Sequence, residues 1–432
     1  MDGQNSWSFN EGAQLSYLVS HQSTHPPLKN SFRIQHWISV FLMLFLTFSL
    51  LVPWIAFYRA FLFVGVLPLV LWACVRRDTC TGISDRSGWL AIALIGYVAV
   101  GTFAPAGLAT EDQYQIVRWA FSTGVFVLAV LAASQRWLLQ PLLYARVLVC
   151  IAIFSGVLAI GNYLWTGQYP ARFSGFGFLS HPILGPASLM SLWAIGMVMY
   201  RVDEHRTRFD YAIIGMSLLV VLIVVILSQS RGPLVAFLVF LFAFSLSAQL
   251  VSGKARRWRY FWWLLGGVLF FVVLFTLFFD DLLARMTARG LSYRPLIWLA
   301  VLQKPPEMIL LGAGMASDFT TSEAGKLLYE QAGIKIKHPH NLILGAFHYS
   351  GIIGLGLFLS LLAWVVVRIL RLSGQYGSRL RPFALGLFVL ILLLNMTDGH
   401  RVVAPPSPDW LFFWLPFTFL VGLVRYFESK EV

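Results

Sequence analysis

A chain of 432 residues that is 58% hydrophobic, 16% aromatic and only 12% charged is not an ordinary soluble domain, whose charged fraction runs to about 25%. Apolar runs of roughly 17 to 25 residues recur from end to end, long enough to cross a hydrocarbon core and too continuous for barrel strands. The net charge of +13 raises the question of a nucleic-acid partner, but the basic residues gather in short loops between apolar runs, so none is expected.

The composition therefore specifies an all-α polytopic membrane protein. The first 36 residues are polar, and the run from Trp37 to about Tyr58 reads as a signal anchor rather than a cleavable signal peptide. Twelve spans are expected, at 37–57, 60–75, 88–106, 118–134, 143–165, 182–200, 210–228, 232–251, 259–279, 341–367, 383–397 and 408–426. The fourth is weakly apolar and the second is short. With the N-terminus inside, the inner loops carry Arg76, Arg77, Arg86, Arg136, Arg146, Arg201, Arg206, Arg208, Lys254, Arg256, Arg257, Arg259, Arg368, Arg371, Arg379, Arg381, Arg425 and Lys430. The short outer loops hold Arg59, Arg118, Arg172, Arg231 and Arg401. The positive-inside rule thus puts both termini in the cytoplasm. The expected plan is a tail at 1–36, nine spans within 37–279, an outer loop or lid at 280–340, three spans within 341–427 and a tail at 428–432. The three cysteines, Cys74, Cys80 and Cys150, show no metal spacing and read as packing residues.

The outer segment is expected to fold. Residues 280–289 are amphipathic, with Asp281 placed to pair with Arg285 and with Arg289 one turn further on. Ser292 suits an N-cap and Pro295 the first turn of a helix reaching Gln303. The run Ile309–Met315 reads as an apolar turn with close backbone contacts. Together these suggest a lid of short interfacial helices over the outer mouth of the bundle.

Several polar stretches at that mouth are candidates for chemistry. Arg231 follows Ser228-Gln229-Ser230 and precedes Gly232-Pro233 in a tight connection. It reads either as a snorkelling anchor or as an anion site, since guanidinium grips phosphate through a bidentate fork. Arg294 opens the next helix, as a solvated charge or as a second cation for a pyrophosphate. Arg285 and Arg289 are weaker candidates, better explained as a solvated face. The stretch His338-Pro-His340-Asn341 lies where the outer segment meets the tenth span. His338 is a polar cap or a substrate contact. His340 is placed to act as a general base, with Asn341 to orient its ring or a sugar hydroxyl. The loop from Arg172 to His181, rich in glycine and aromatics, has the composition to line a sugar or phosphate site. Asp398-Gly-His-Arg401 reads best as a plain turn between spans.

Missing motifs narrow the reaction. No Asp-x-Asp stands on an outer loop and no P-loop is present, so neither a metal of that kind nor a nucleotide is expected. No carboxylate lies mid-span, as a proton-coupled transporter would need. An enzyme of this type needs a substrate that is already activated.

Three features resemble the O-antigen ligase family, within the superfamily that also holds O-antigen polymerases and protein O-oligosaccharyltransferases. They are Ser230-Arg231-Gly232 between two spans, Arg294 with Trp298 in the long outer loop, and His340-Asn341 followed after nine residues by Gly351-x-x-Gly354. The motifs cover about residues 170 to 360; the topology covers the whole chain. The resemblance implies transfer of O-antigen polysaccharide from undecaprenyl pyrophosphate to a lipid A–core sugar at the periplasmic face of the inner membrane. It implies no cofactor, no metal, and inversion at the anomeric carbon. It assigns His340 as base and Arg231 and Arg294 to the pyrophosphate, with His338 and Arg172 in supporting roles. The two partners are thus lipid-linked donor and lipid-linked acceptor, both reached from the membrane. A polymerase is a close rival. A protein O-oligosaccharyltransferase is disfavoured by the six residues that follow the last expected span. A flippase of lipid-linked sugars would call for basic residues through the bundle and repeated halves, neither of which is visible.

Overall fold

The computed structural model describes residues 28–75, 86–104, 109–203, 205–251 and 293–431. The expected ninth span at 259–279 and the amphipathic stretch at 280–289 lie outside these residues. The described chain is helical throughout, without strands, as expected of an all-α polytopic membrane protein. Among the described residues, nine helices are long and apolar enough to cross a membrane.

Helix α1 (Leu28–Leu51) ends before Pro53, which has no N–H to continue it. The next, α2 (Ile55–Val75), therefore starts earlier than expected and passes through a π-helical turn at Phe61–Val66. After α3 (Arg86–Gly101) comes α4 (Thr110–Leu139), the weak fourth span, which is 30 residues long. Glu111 and Asp112 stand in its first turn and Arg136 in its last, each complementing the helix dipole. Helices α5 (Pro141–Trp165), α6 (Leu184–Val202), α7 (Arg208–Leu227) and α8 (Arg231–Val251) follow. Two short helices, α9 (Arg294–Gln303) and α10 (Glu323–Ala332), precede α11 (Leu342–Arg371), α12 (Gly374–Asp398) and α13 (Trp410–Lys430). At the start of α9, Tyr293 holds the N-cap position foreseen for Ser292, which lies outside the described residues, and Pro295 stands in the first turn.

The core is centred on α6 and α13. Every residue of α6 from Leu184 to Tyr200 is buried, against α5, α12 and α13. At one end of the bundle, basic side chains clamp neighbouring helices. Arg146 forks onto the buried Asp210 at 2.7 and 2.9 Å, and Arg201 stacks over Phe244 and Phe383. Arg368 pairs with Glu428 at the same end. The candidate residues stand at the other end, where α5 leaves, α7 ends and α8, α9 and α11 begin.

Helices α9 and α10 form a small second core there. Ile297, Ala300 and Val301 pack on Phe319, Ala324 and Leu328, with Trp298 and Phe347 against them. The outward face of α9 leaves Leu296, Leu299 and Leu302 exposed, continuing into Met308, Ile309 and Leu310. The expected close backbone turn is present and has a specific job. Helix α11 is broken at Gly351, which takes φ +64 and ψ −167. The strap Ile309–Gly314 fills the break: Ala313 and Gly314 donate to the carbonyls of His348 and Tyr349, and Ile352 and Ile353 donate to Ile309 and Leu310. The Tyr97 hydroxyl, from α3, donates to Ser350 O at 3.1 Å and reaches Leu310 O at 3.4 Å. Only glycine fits at 351, because a Cβ would lie 2.3 Å from Leu310 O.

Candidate functional site

The connection between α7 and α8 is stitched to the loop after α5. Gln229 takes φ +51, rare for a residue with a Cβ, and its amide donates to Pro170 O at 2.9 Å. Arg172 donates through Nε to Ser228 O at 3.1 Å and through Nη2 to Ser230 Oγ at 2.5 Å. Ser230 in turn donates to Pro182 O. These bonds hold Arg172 beside Arg231, the first residue of α8, where the helix dipole adds positive potential. Gly232 lets the end of α12 approach: a Cβ there would sit 2.8 Å from Thr397 Oγ1 and 3.4 Å from Asp398 Oδ2.

Asp398 is the hinge of the site. Its carboxylate is buried and takes Nη2 of Arg294 at 2.7 and 2.8 Å. Its Oδ1 lies 3.6 Å from Nδ1 of His340. That separation is too long for a hydrogen bond, and the His340 Nδ1 is buried without a hydrogen-bond partner. His340 holds φ +52, a conformation that costs a non-glycine residue of order 1 kcal/mol and is found at constrained functional sites. Arg172, Arg231, Arg294, His340 and Asp398 line one cavity of about 480 Å³. The turn at 398–401, expected to be a plain connection, is thus part of the site.

A histidine cluster adjoins the cavity. The His338 ring stacks on His400 with centroids 3.8 Å apart at 21°, and meets His340 edge-on at 4.1 Å. Burial, reinforced by His400 and His340, lowers the His338 pKa to about 2, so it is neutral. Burial also opposes charge on His400, but Asp409, with Oδ1 3.4 Å from Nδ1, outweighs it and raises the pKa. The three rings each offer a nitrogen within 4.8 Å of the other two. The sequence, read without a metal, held no sign that these histidines meet.

Two candidates have structural duties. Asn341 is the N-cap of α11: its Oδ1 accepts from Ile343 N and Leu344 N at 3.0 and 3.1 Å. That occupies the oxygen expected to orient a ring or a sugar hydroxyl. His181 caps α6 in the same way, its Nδ1 accepting from Ile183 N and Leu184 N at 3.2 Å. Burial, with His400 nearby, lowers its pKa, consistent with a neutral ring. Arg285 and Arg289 lie outside the described residues. Asp398 and His400 were named in the sequence but set aside as a plain turn, and Asp409 is a site residue that sequence reasoning passed over. The only signal was an acidic residue at each edge of a short polar turn between two apolar runs.

Residues 216–359 match the family model described as O-Antigen ligase. That stretch, about a third of the chain, is similar to the O-antigen ligase family. That match includes Arg231, Arg294 and His340 and ends just past Gly354, whereas Arg172, Asp398 and His400 lie beyond it. The chain is also 26% identical over 278 residues to a protein named O-antigen ligase from Pseudomonas aeruginosa (strain PAO1), covering 63% of this chain. The matched stretch spans 62% of that relative's length.

Proposed function

We propose that this protein is a membrane glycosyltransferase of the O-antigen ligase type. It moves O-antigen polysaccharide from undecaprenyl pyrophosphate to a sugar hydroxyl of lipid A–core, at the periplasmic face of a Gram-negative inner membrane. Both termini then face the cytoplasm, and the lid faces the periplasm. The observation that carries this reading is the cavity lined together by Arg172, Arg231, Arg294 and His340, at the end of the bundle away from the basic clamps. Such a grouping suits a reaction in which a diphosphate departs while a hydroxyl attacks.

His340 takes the acceptor proton through Nε2 as the hydroxyl oxygen bonds to the anomeric carbon. The bond from that carbon to the pyrophosphate oxygen breaks on the opposite side, inverting the centre. Arg231 and Arg294 offset the negative charge that gathers on the departing diphosphate, with Arg172 held beside them. Asp398 faces the His340 ring and places Arg294 against the same cavity. The sugar–pyrophosphate bond supplies the driving force, and the rate comes from positioning and charge stabilisation. The exposed Leu296, Leu299 and Leu302 of α9 suit contact with the membrane, from which both lipid-linked substrates enter.

The test is transfer in proteoliposomes with undecaprenyl-pyrophosphate-linked oligosaccharide and rough lipopolysaccharide, without nucleotide or metal. Glycan on lipid A–core, reduced at least 100-fold in His340→Ala and Arg231→Ala, is the expected result. Longer undecaprenyl-linked chains with untouched lipopolysaccharide would make the protein a polymerase instead. Folded protein that forms no new linkage would point to transport.

A further inference from the structure

Three imidazoles meet beside the cavity from two loops: His338 and His340 ahead of α11, and His400 after α12. Each can bring a ring nitrogen within 4.8 Å of the other two. Two of them have a carboxylate at Nδ1, Asp398 at 3.6 Å from His340 and Asp409 at 3.4 Å from His400. Metal-ligating histidines commonly have a carboxylate beside the ring nitrogen that does not bind the ion. His338 and His340 each have a buried Nδ1 with no hydrogen-bond partner.

We propose that His338, His340 and His400 form a binding site for Zn²⁺, and that the bound ion switches the enzyme off by taking the His340 lone pair. Three imidazoles with a fourth position left to water are a tetrahedral zinc set, while Mg²⁺ and Ca²⁺ require oxygen donors. Asp398 and Asp409 offset part of the ion's charge. Zn–N bonds of about 2.0–2.1 Å put the nitrogens about 3.4 Å apart, so the three rings close inward. His338 must also turn off the face of His400, since nitrogens of stacked rings point side by side and not at one centre. Zinc here is an inhibitor, not a participant in transfer. The inhibitory half rests on the proposed ligase reading; the binding half does not.

The experiment titrates metal-stripped, purified protein with Co²⁺ as a spectroscopic probe, then displaces it with Zn²⁺. The expected result is the strong visible absorption of four-coordinate Co²⁺ at one equivalent, abolished by Zn²⁺. That signal disappears in His338→Gln and in His400→Gln but persists in His205→Gln, whose ring is exposed and lies at the opposite end. X-ray absorption on the Zn²⁺-loaded wild type, which needs no variant to fold, should count three imidazole nitrogens. In the transfer assay, saturating Zn²⁺ should reduce wild-type turnover at least tenfold, reversibly with chelator. His400→Gln should turn over at its own rate equally with and without Zn²⁺. Weak six-coordinate Co²⁺ absorption, binding that survives both cluster variants, or one imidazole at the loaded zinc would overturn the site. A histidine-dependent Co²⁺ signal with Zn²⁺-insensitive turnover would overturn the switch. No transfer by metal-free wild type would count against the ligase reading alone, and the binding result would stand.

Discussion

Asp398 connects the two halves of the proposed chemistry, because one carboxylate holds Arg294 and faces the ring of His340. Asp398→Asn keeps the shape but removes the charge that orients both. Turnover should fall about 10- to 100-fold, short of the full loss of a general base, and donor affinity should weaken as Arg294 is released. Steady-state transfer with each substrate varied in turn would check this; unchanged kinetics would remove Asp398 from the account. His338 gives a second test through its depressed pKa. Its folded value of about 2 lies below the ordinary 6.5, so the unfolded chain binds a proton that the folded chain does not. Its contribution to stability is therefore whole above pH 6.5 and is lost on acidification below it, by at most about 1.4 kcal/mol per pH unit. His400 has the opposite sign: its raised pKa favours the folded state at low pH. In metal-free protein, His338→Gln should flatten the fall in thermal midpoint between pH 7 and pH 5. A slope identical to wild type would mean that His338 titrates normally.

At the scale of elements, the stretch from His340 to Gly354 works as one mechanical piece. Asn341 starts α11, Gly351 breaks it, and the strap Ile309–Gly314 closes the break with Tyr97 across both carbonyls. The spacing of histidine and glycines in the sequence thus relates the start of a helix to the point where the strap is anchored. Gly351→Ala would need a positive φ and would press its Cβ against Leu310 O. It should lower the thermal midpoint and release the strap, at a cost of several kcal/mol. Tyr97→Phe keeps the ring and loses only the hydroxyl bond, and should cost about 1 kcal/mol. Limited proteolysis near residue 310 together with thermal unfolding would separate the two variants; equal behaviour would deny the strap its role. This element also shows what periodicity can and cannot reveal. The apolar run of α11 and the turn at 309–315 were legible, since apolar length marks a span and glycines mark close backbone. That the turn repairs the helix was not, because pairing between a loop and a broken helix leaves no periodic trace.

Over the whole molecule, apolar length carried the all-α polytopic architecture, because a membrane tolerates few alternatives to helices. The ends of spans were less legible: Pro53 moved one boundary and a polar first turn lengthened α4. The site divided in the same way. Arg231, Arg294 and His340 were readable because each sits at a helix start beside a recognisable motif. Asp398 and His400 were set aside as a turn, because Asp398 meets the site through the close packing of α8 on α12 at Gly232 and His400 through its stacking on His338. In the proposed reading, one cavity holds cations for a leaving diphosphate and a base for the attacking hydroxyl. That division is the central claim, and binding measured apart from turnover tests it most directly. Undecaprenyl-pyrophosphate-linked oligosaccharide would be titrated into proteoliposomes of wild type, His340→Ala and Arg231→Ala, with transfer measured on the same preparations. The account predicts donor affinity within about twofold of wild type for His340→Ala despite lost transfer, and affinity at least tenfold weaker for Arg231→Ala, as expected when a charge-assisted phosphate contact is removed. Equal donor affinity in all three proteins, or donor binding lost in His340→Ala alone, would contradict it.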